Sequence, residues 1–336
     1  MDSLTHLVVG ACMGEVFLGR QLGRRALLWG AIAQSAPDID VLASLWTDTA
    51  ENLLAHRGFT HSLLCAALLT PLFALAADRW HRPHDIPFSR FCWFFGVAIF
   101  GHDLLDSLNS YGTGLLEPFS HARIALNVLF VADPFFSIVP GIIGVVLIFI
   151  RKHQRYHKPL ACSALAWCVL YIGYATYHKV AMERTVHRML AQQGVQYKRT
   201  FITPTVLNNW LWYVLADDGR GFHIGYRSVF DTTDSLELHY VPQGAERLQQ
   251  VQDEAELDLL LRFSQGWYTV EERSDSLVFN DLRFGQVMGW RQADAPFVFH
   301  YFLKDPERND LVVQRGRFTG WDRDAIGSLA RRIKGR

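Results

Sequence analysis

The sequence predicts an α-helical polytopic membrane domain followed by a soluble α+β domain with a mostly antiparallel sheet. Half of the 336 residues are hydrophobic and only 20% are charged, and the apolar residues are concentrated in the first 180 positions. Beyond residue 180, short segments alternate between apolar and polar side chains, which is typical of half-buried strands. We therefore expect a membrane domain over residues 1–180 and a soluble domain over residues 181–336.

Charge and the first residues narrow the class of protein. The formal net charge is zero, so the composition gives no electrostatic reason to expect a nucleic-acid partner. Residues 1–6 contain no lysine or arginine, and Glu15 interrupts the first apolar stretch, so no cleavable signal peptide is expected. The apolar segments themselves are then the predicted membrane signal.

Two short apolar stretches open the chain, over residues 7–19 and 26–36. Each is shorter than the roughly 20 residues that a full span needs. We expect a pair of helices packed within or against the membrane, and Gly10, Gly14 and Gly30 would let them approach closely.

Four further apolar stretches cover residues 63–77, 91–100, 135–150 and 160–177. If each crosses the membrane, the basic turns at 20–25, 79–90 and 151–158 all fall on the cytoplasmic side. We therefore predict a membrane protein that crosses the bilayer several times. Histidines and carboxylates that end the apolar stretches then collect on the periplasmic or exterior side, together with residues 181–336.

The second half contains a mixture of strands and helices. Helices are predicted over residues 182–193 and 254–263, the second from its 3.6-residue period. Alternation and β-branched or aromatic content predict strands at 201–206, 210–215, 221–229, 237–241, 268–272, 276–281, 288–291 and 297–302. We expect them to form one small antiparallel sheet.

Ionisable residues at the ends of membrane segments are costly to place there and are therefore candidates for function. Four separate segments each bring histidine or carboxylate to the same predicted side, which predicts a metal site. The candidate metal ligands are His6, Asp38, Asp40, His56, His61, His102 and Asp106.

The spacing of His102, Asp103 and Asp106, at the end of the helix predicted from the 91–100 stretch, predicts different roles for them. His102 and Asp106 are four positions apart and share a helical face, so both can bind one ion. Asp103 points about 100° away from His102, which suits a proton acceptor or a carboxylate that supports the ligands.

The segment His-Arg-Gly-Phe-Thr-His-Ser, which begins at His56, needs a break to bring its two histidines together. His56 and His61 are five residues apart and would not converge on a regular helix. We expect Gly58 to separate a loop from a helix that begins near Thr60, whose hydroxyl would cap it.

The two aspartates at 38 and 40 and the arginine at 57 each have two possible roles. Asp38 and Asp40 flank one turn, so one is expected to bind the metal and the other to support it. Arg57 has two alternative roles, as a clamp for a phosphate or developing oxyanion or as a salt-bridge partner of Asp38, Asp40 or Asp103.

Imidazole and carboxylate ligands together suit a divalent metal, with zinc expected first and manganese or iron as alternatives. Because several carboxylates can bridge ions, the site could hold one ion or two or more.

These motifs resemble the YdjM family of bacterial inner-membrane proteins. The resemblance covers residues 1–180 and is carried by Asp2-Ser3-Leu4-Thr5-His6, Pro37-Asp38-Ile39-Asp40, His56-Arg57-Gly58-Phe59-Thr60-His61-Ser62, His102-Asp103-Leu104-Leu105-Asp106, Tyr111-Gly112 and Pro118-Phe119-Ser120. It implies a membrane-bound metal-dependent hydrolase. A looser similarity to zinc-dependent phospholipase C and nucleases implies a phosphodiester substrate.

The leading hypothesis is a membrane metallohydrolase that uses metal-activated water on a lipid-associated ester or phosphoester. Asp103 and Arg57 would be its catalytic residues, and membrane lipid and a lipid-associated small molecule its partners. Two alternatives remain open: an ion- or proton-coupled transporter subunit, and a non-catalytic stress-response membrane protein with a structural metal.

Overall fold

The chain divides into two compact units in the computed structural model, which describes residues 1–149, 155–251, 253–273, 276–303 and 321–336. The first unit comprises Met1–Leu45 and Ala55–Ala175, and the second comprises Trp46–Leu54 and Thr176–Arg336. The change from one unit to the other at residues 175 and 176 falls inside a continuous helix, a few residues before the boundary predicted at 180.

Helices build the first unit. Its helices and 3-10 segments are α1 (Ser3–Leu22), α2 (Arg24–Ser35), η1 (Pro37–Leu45), η2 (Phe59–His61), α4 (Leu63–Trp80), α5 (Phe88–Ser107), α6 (Pro134–Phe149) and the start of α7 (His157–Gln192); the short α3 (Thr49–Ala55) interrupts this series. Residues 108–133 form a loop that contains no helix.

The close approach expected for the first two helices is confirmed. A Cβ atom on Gly14 would lie 1.9 Å from the carbonyl oxygen of Ala26, and one on Gly30 would lie 1.9 Å from that of Gly10. No side chain other than hydrogen fits at these positions, so α1 and α2 pack backbone against backbone. Buried phenylalanines of α5, Phe91, Phe94 and Phe95, fill the core beside this pair.

Among the described residues, two helices are long and apolar enough to cross a membrane, α4 and α7, and α6 is a shorter apolar helix. Helix α7 runs for 36 residues and contains both the apolar stretch at 160–177 and the helix expected at 182–193. The two predicted elements are one helix because no proline or glycine stands between them. The predicted basic turn at 151–158 lies partly outside the described residues.

The second unit contains two antiparallel sheets rather than the single sheet predicted. The first sheet has the order β1 (Arg199–Pro204), β2 (Leu211–Asp217), β3 (Gly221–Ser228) and β4 (Leu238–Pro242), and the second has β5 (Tyr268–Arg273), β6 (Ser276–Gln286) and β7 (Phe297–Phe302). Helices α8 (Glu254–Ser264) and α9 (Arg323–Ile333) accompany them.

One predicted strand is wrong. Residues 288–291 form a turn, in which Met288 has a positive φ of 55°. A residue in the left-handed region of φ cannot continue a strand. The pattern of apolar and polar residues over four positions does not predict that conformation.

Candidate metal centre

Four side chains from three elements of the first unit point their donor atoms at one another: Asp38 on η1, His61 on η2, and His102 and Asp106 on α5. Their donor atoms all lie within 4.8 Å of each other. Nε2 of His61 lies 3.0 Å from Nε2 of His102, and both nitrogens lie 3.4–3.6 Å from oxygens of Asp38 and Asp106.

These separations fit the ligand set of a tetrahedral ion. Zinc binds histidine nitrogen and carboxylate oxygen at about 2.0–2.1 Å, which places tetrahedral ligand atoms about 3.3–3.4 Å apart. The five separations between 3.0 and 3.6 Å bracket that value. The sixth separation, between the oxygens of Asp38 and Asp106, is also within 4.8 Å, so the four donors could hold one divalent ion.

The helical spacing of His102 and Asp106 brings them to the cluster, as four-residue spacing on one face requires. Nδ1 of His102 lies 2.5 Å from the backbone carbonyl of Gln34, the next-to-last residue of α2. A carbonyl can only accept, so Nδ1 carries the proton and Nε2 presents its lone pair to the cluster.

His61 reaches the cluster from a tight turn. Its Nδ1 lies 3.2 Å from an oxygen of Asp40, and its side chain is fully buried. Burial opposes a positive charge there, but hydrogen bonds to Asp38 and Asp40 outweigh it and raise the pKa of His61. Because the lone pair of His102 faces His61 Nε2, the centre favours a positive charge between them.

The turn itself differs from the one predicted. Helix α4 begins at Leu63, and Ser62 caps it by accepting a hydrogen bond from the backbone amide of Cys65. The hydroxyl of Thr60 instead lies 3.1 Å from Asp40. Serine and threonine caps are nearly equivalent in propensity, so the sequence alone did not separate these two hydroxyls.

The two aspartates of the 37–40 turn have different positions. Asp38 directs an oxygen into the cluster, and its side chain keeps 20% exposure. Asp40 lies outside the cluster, where it accepts from the backbone amide of Arg57 at 2.7 Å and pairs with His56 Nδ1 at 3.1 Å. Burial alone would raise the pKa of Asp40, but its bonds to the two histidines hold that pKa well below its usual range.

Asp106 is the most heavily paired ligand candidate. One oxygen contacts the α-ammonium group of Met1 and lies 3.1 Å from His6 Nε2. The other faces the cluster and lies 3.0 Å from Nε of Arg57. His6 is thus placed behind Asp106, and the described structure does not bring it into the four-donor group.

Arg57 is buried, and its partners are protein groups. Its guanidinium pairs with Asp106, donates to the side-chain oxygen of Asn109 at 2.9 Å and lies over the ring of Tyr111. The guanidinium therefore pairs with Asp106 rather than with one of the three carboxylates expected from the sequence. Its φ of 58° is strained for a non-glycine residue, and the bond from its amide to Asp40 holds this geometry.

The last two predicted residues flank the cluster. Asp103 is buried on α5, and neither of its oxygens has a hydrogen-bond partner among the described residues. His56 is 34% exposed, with its ring centroid 6.2 Å from that of His61. Both therefore lie next to the four donors without joining them.

Sequence reasoning missed the groups that orient the donors. The backbone carbonyl of Gln34 and the side chain of Asn109 hold His102 and Arg57 respectively. A backbone carbonyl leaves no signal in a sequence. Asn109, only three residues after Asp106, could have been considered as part of the same motif.

An apolar helical unit with buried histidine and aspartate donors is the architecture of a membrane protein with a candidate metal site. The chain belongs to the YdjM family: the family described as YdjM inner membrane protein matches residues 1–182, which contain all the candidate ligands. The similarity noted from the motifs is thereby confirmed.

Two relatives extend this comparison. The chain is 36% identical over 123 residues to the inner membrane protein YbcI of Escherichia coli K12, covering 36% of this chain and 69% of that protein. It is 26% identical to the uncharacterized protein YfhP of Bacillus subtilis over 96% of this chain and 95% of that protein. The second alignment therefore includes most of the sheet-containing unit. No solved structure matches the chain significantly.

Proposed function

We propose that this chain is a multi-pass inner-membrane hydrolase that holds a divalent ion, zinc first, through Asp38, His61, His102 and Asp106. Its substrate is an ester or phosphoester of a lipid-associated molecule. The observation that carries the proposal is the convergence of two imidazole nitrogens and two carboxylate oxygens at tetrahedral spacing, with a lone pair of His102 directed at His61.

The surroundings of the donors support metal binding. His61 and His102 each use their second ring nitrogen on an oxygen, of Asp40 and of the Gln34 carbonyl, in the manner that orients metal-binding histidines. A divalent ion held here would lower the pKa of a bound water towards neutrality and polarise a carbonyl or phosphoryl oxygen.

Access to the centre is from the side of η1. Asp38 is the one ligand of the four with exposed side-chain area, and His56, which is 34% exposed, contacts Asp40 of the same segment. A substrate would therefore approach over Asp38, near His56. His56, already oriented by Asp40, is placed to donate a hydrogen bond to it.

Apolar side chains are exposed on the two elements that carry Asp38 and His61, which supports a lipid-associated substrate. The large hydrophobic residues exposed on η1 and η2 are Ile39, Val41, Leu42, Leu45 and Phe59. Contiguous exposed apolar residues of this kind mark membrane or ligand contact.

We assign two supporting roles. Asp103 is a buried carboxylate without a hydrogen-bond donor in the described structure, and it directly follows His102 on α5, so we assign it the role of proton acceptor. Arg57 positions Asp106, and it approaches a substrate only if it leaves that carboxylate.

The proposed topology follows from charge. Arg20 and Arg24 lie at the far ends of α1 and α2 from the donors, and arginines at 79, 82 and 90 end or begin α4 and α5. Excess arginine marks the cytoplasmic side, so the metal centre faces the periplasm or exterior. Membrane lipid is then a direct partner of the apolar helices.

Metal content tests the first half of the proposal. The full chain is purified in detergent and its divalent metals are measured by elemental analysis. We expect about one ion per chain, loss of that ion in His61→Ala, and no loss in the control His121→Ala, an exposed histidine paired with Glu117. Absence of metal from the unchanged protein would overturn the proposal.

Activity tests the second half. The metal-loaded protein is assayed on bis(p-nitrophenyl) phosphate, p-nitrophenyl acetate and phospholipid in mixed micelles. We expect hydrolysis by the unchanged protein and at least about a hundredfold loss in Asp103→Asn with metal retained, the effect of removing a general base. Metal retention without hydrolysis of any substrate would favour a structural metal, an alternative that the burial of three of the four donors also suits.

A further inference from the structure

The first unit contains a second polar region, at the opposite end of its helices. A cavity of about 400 Å³ lies where α1 ends and α2, α5 and α7 begin; its charged lining residues are Glu15, Arg20, Arg24, Arg90, Arg155 and Lys158. Along α1, His6 and Arg20 are 14 residues apart, which is about 21 Å of helix. The cavity is therefore separate from the metal centre.

Charge in this cavity is one-sided. Five permanent cations line it, three of which, Arg20, Arg24 and Lys158, are exposed and pair with no carboxylate among the described residues. The carboxylate in the lining, Glu15, is buried and already occupied by His157 at 3.4 Å. Mutually repelling cations gathered around an open volume create a strong field for an anion.

Backbone geometry adds to this field. Helix α2 begins inside the cavity after Gly23, which has a φ of 57° and provides no side-chain cap. The first amides of a 12-residue helix thus lie next to the arginines. Helix N-termini and guanidinium groups both favour the oxygens of phosphate.

The remaining lining indicates which anion fits. Val16, Phe17 and Leu27 give the cavity an apolar wall, and α7, one of the two helices long enough to cross a membrane, begins at its rim. Basic pockets between membrane helices on the cytoplasmic side suit anionic lipid headgroups. We propose that this cavity binds the phosphate headgroup of an anionic phospholipid, whose acyl chains lie against the apolar helices.

Lipid binding in the absence of metal tests the proposal. The full chain is delipidated in a neutral detergent with EDTA and incubated with phosphatidylglycerol, with phosphatidylcholine or with inorganic phosphate. Retained molecules are counted by native mass spectrometry. EDTA keeps the metal centre from contributing, so the result is independent of whether the chain is a hydrolase.

Arg24→Gln and Arg25→Gln form a matched pair, since both residues are exposed neighbours at the start of α2 and only Arg24 lines the cavity. We expect retention of phosphatidylglycerol over phosphatidylcholine, about fivefold weaker binding in Arg24→Gln, and no change in Arg25→Gln. Arg24→Lys should keep most of the affinity, which separates charge from misfolding.

Three results would overturn the proposal. Equal losses in Arg24→Gln and Arg25→Gln would show general surface attraction. Equal retention of phosphatidylcholine and phosphatidylglycerol would remove the headgroup preference. Retention of inorganic phosphate without phosphatidylglycerol would identify a site for free phosphate rather than for lipid.

Discussion

The first unit places two polar clusters at opposite ends of the same helices, and the two differ in how their charges are balanced. At the candidate metal centre, the ion pair between Arg57 and Asp106 has side-chain exposures of 3% and 0%. At the basic cavity, Arg20, Arg24 and Lys158 are exposed and lack acidic partners among the described residues.

The difference in exposure indicates which cluster needs counter-charges from the protein itself. A buried charge without a partner costs several kcal/mol, so the metal centre must contain its own counterions. Exposed cations are solvated and tolerate an empty cavity. The metal centre is thus expected to respond to substitutions with lost stability, and the cavity with lost ligand binding.

The largest effect is expected for Asp106→Ala. This change leaves the buried guanidinium of Arg57 without its carboxylate, and we expect the free energy of unfolding to fall by about 3–5 kcal/mol. Chemical denaturation in detergent with EDTA measures it without a contribution from metal.

The matched control is Asp78→Ala. Asp78 is itself buried and contacts His84, but the cation it pairs with, Arg82, is 66% exposed and stays solvated when the carboxylate is removed, so the loss should be smaller, about 1 kcal/mol. If the two variants lose the same stability, burial does not distinguish the two kinds of charge and the comparison fails.

A second substitution should damage both clusters together. Gly14→Ala would place a methyl group 1.9 Å from the Ala26 carbonyl and push α2 away from α1, at a cost of about 1–3 kcal/mol. Helix α2 carries Gln34 at one end and Arg24 at the other. We therefore expect lower metal content and lower phosphatidylglycerol retention in the same variant.

Gly96→Ala serves as the control, because its added methyl group would meet Thr70 at an ordinary 3.6 Å. Alanine has the higher helix propensity, so this variant should be unchanged or slightly more stable. A loss in Gly96→Ala as large as in Gly14→Ala would mean that close packing of α1 on α2 is not what joins the two clusters.

Much of the fold was predictable because it depends on local patterns. The glycines at 10, 14 and 30 predicted the helix contact that the structure shows, and the alternating segments predicted most strands. The continuous helix α7 and the turn at Met288 were not predicted. The continuous helix requires that no residue breaks it, and the turn requires one residue with a positive φ. Sequence patterns predict such single backbone conformations poorly.

At the site, the sequence identified the residue types and their shared location but not the division of labour. Nothing in Pro-Asp-Ile-Asp distinguishes Asp38 from Asp40, since either could face the cluster from a turn. Tertiary contacts distinguish the two aspartates. Asp40 accepts a hydrogen bond from the backbone amide of Arg57, whereas Asp38 directs its oxygen at His61.

That division predicts a graded effect on metal affinity. Asp38→Asn removes a ligand and should abolish stoichiometric metal in the purified protein. Asp40→Asn leaves the ligands in place but removes the carboxylate behind His61, which should weaken affinity about 10–100-fold. Competition with a chelator of known affinity measures both, and the reverse order would exchange the roles of the two aspartates.

The smallest effects are expected at two neighbouring hydroxyls, which separate stability from metal binding. Ser62 caps α4, so Ser62→Ala should reduce the free energy of unfolding by about 1 kcal/mol without changing chelator competition. Thr60 contacts Asp40, so Thr60→Ala should weaken metal binding by less than the Asp40 substitution and leave α4 intact. A different result would contradict this assignment: Thr60→Ala could lower stability in EDTA as Ser62→Ala does and leave metal affinity unchanged. Thr60 would then be the residue that caps the helix, as the sequence predicted, and its contact with Asp40 would not contribute to metal binding.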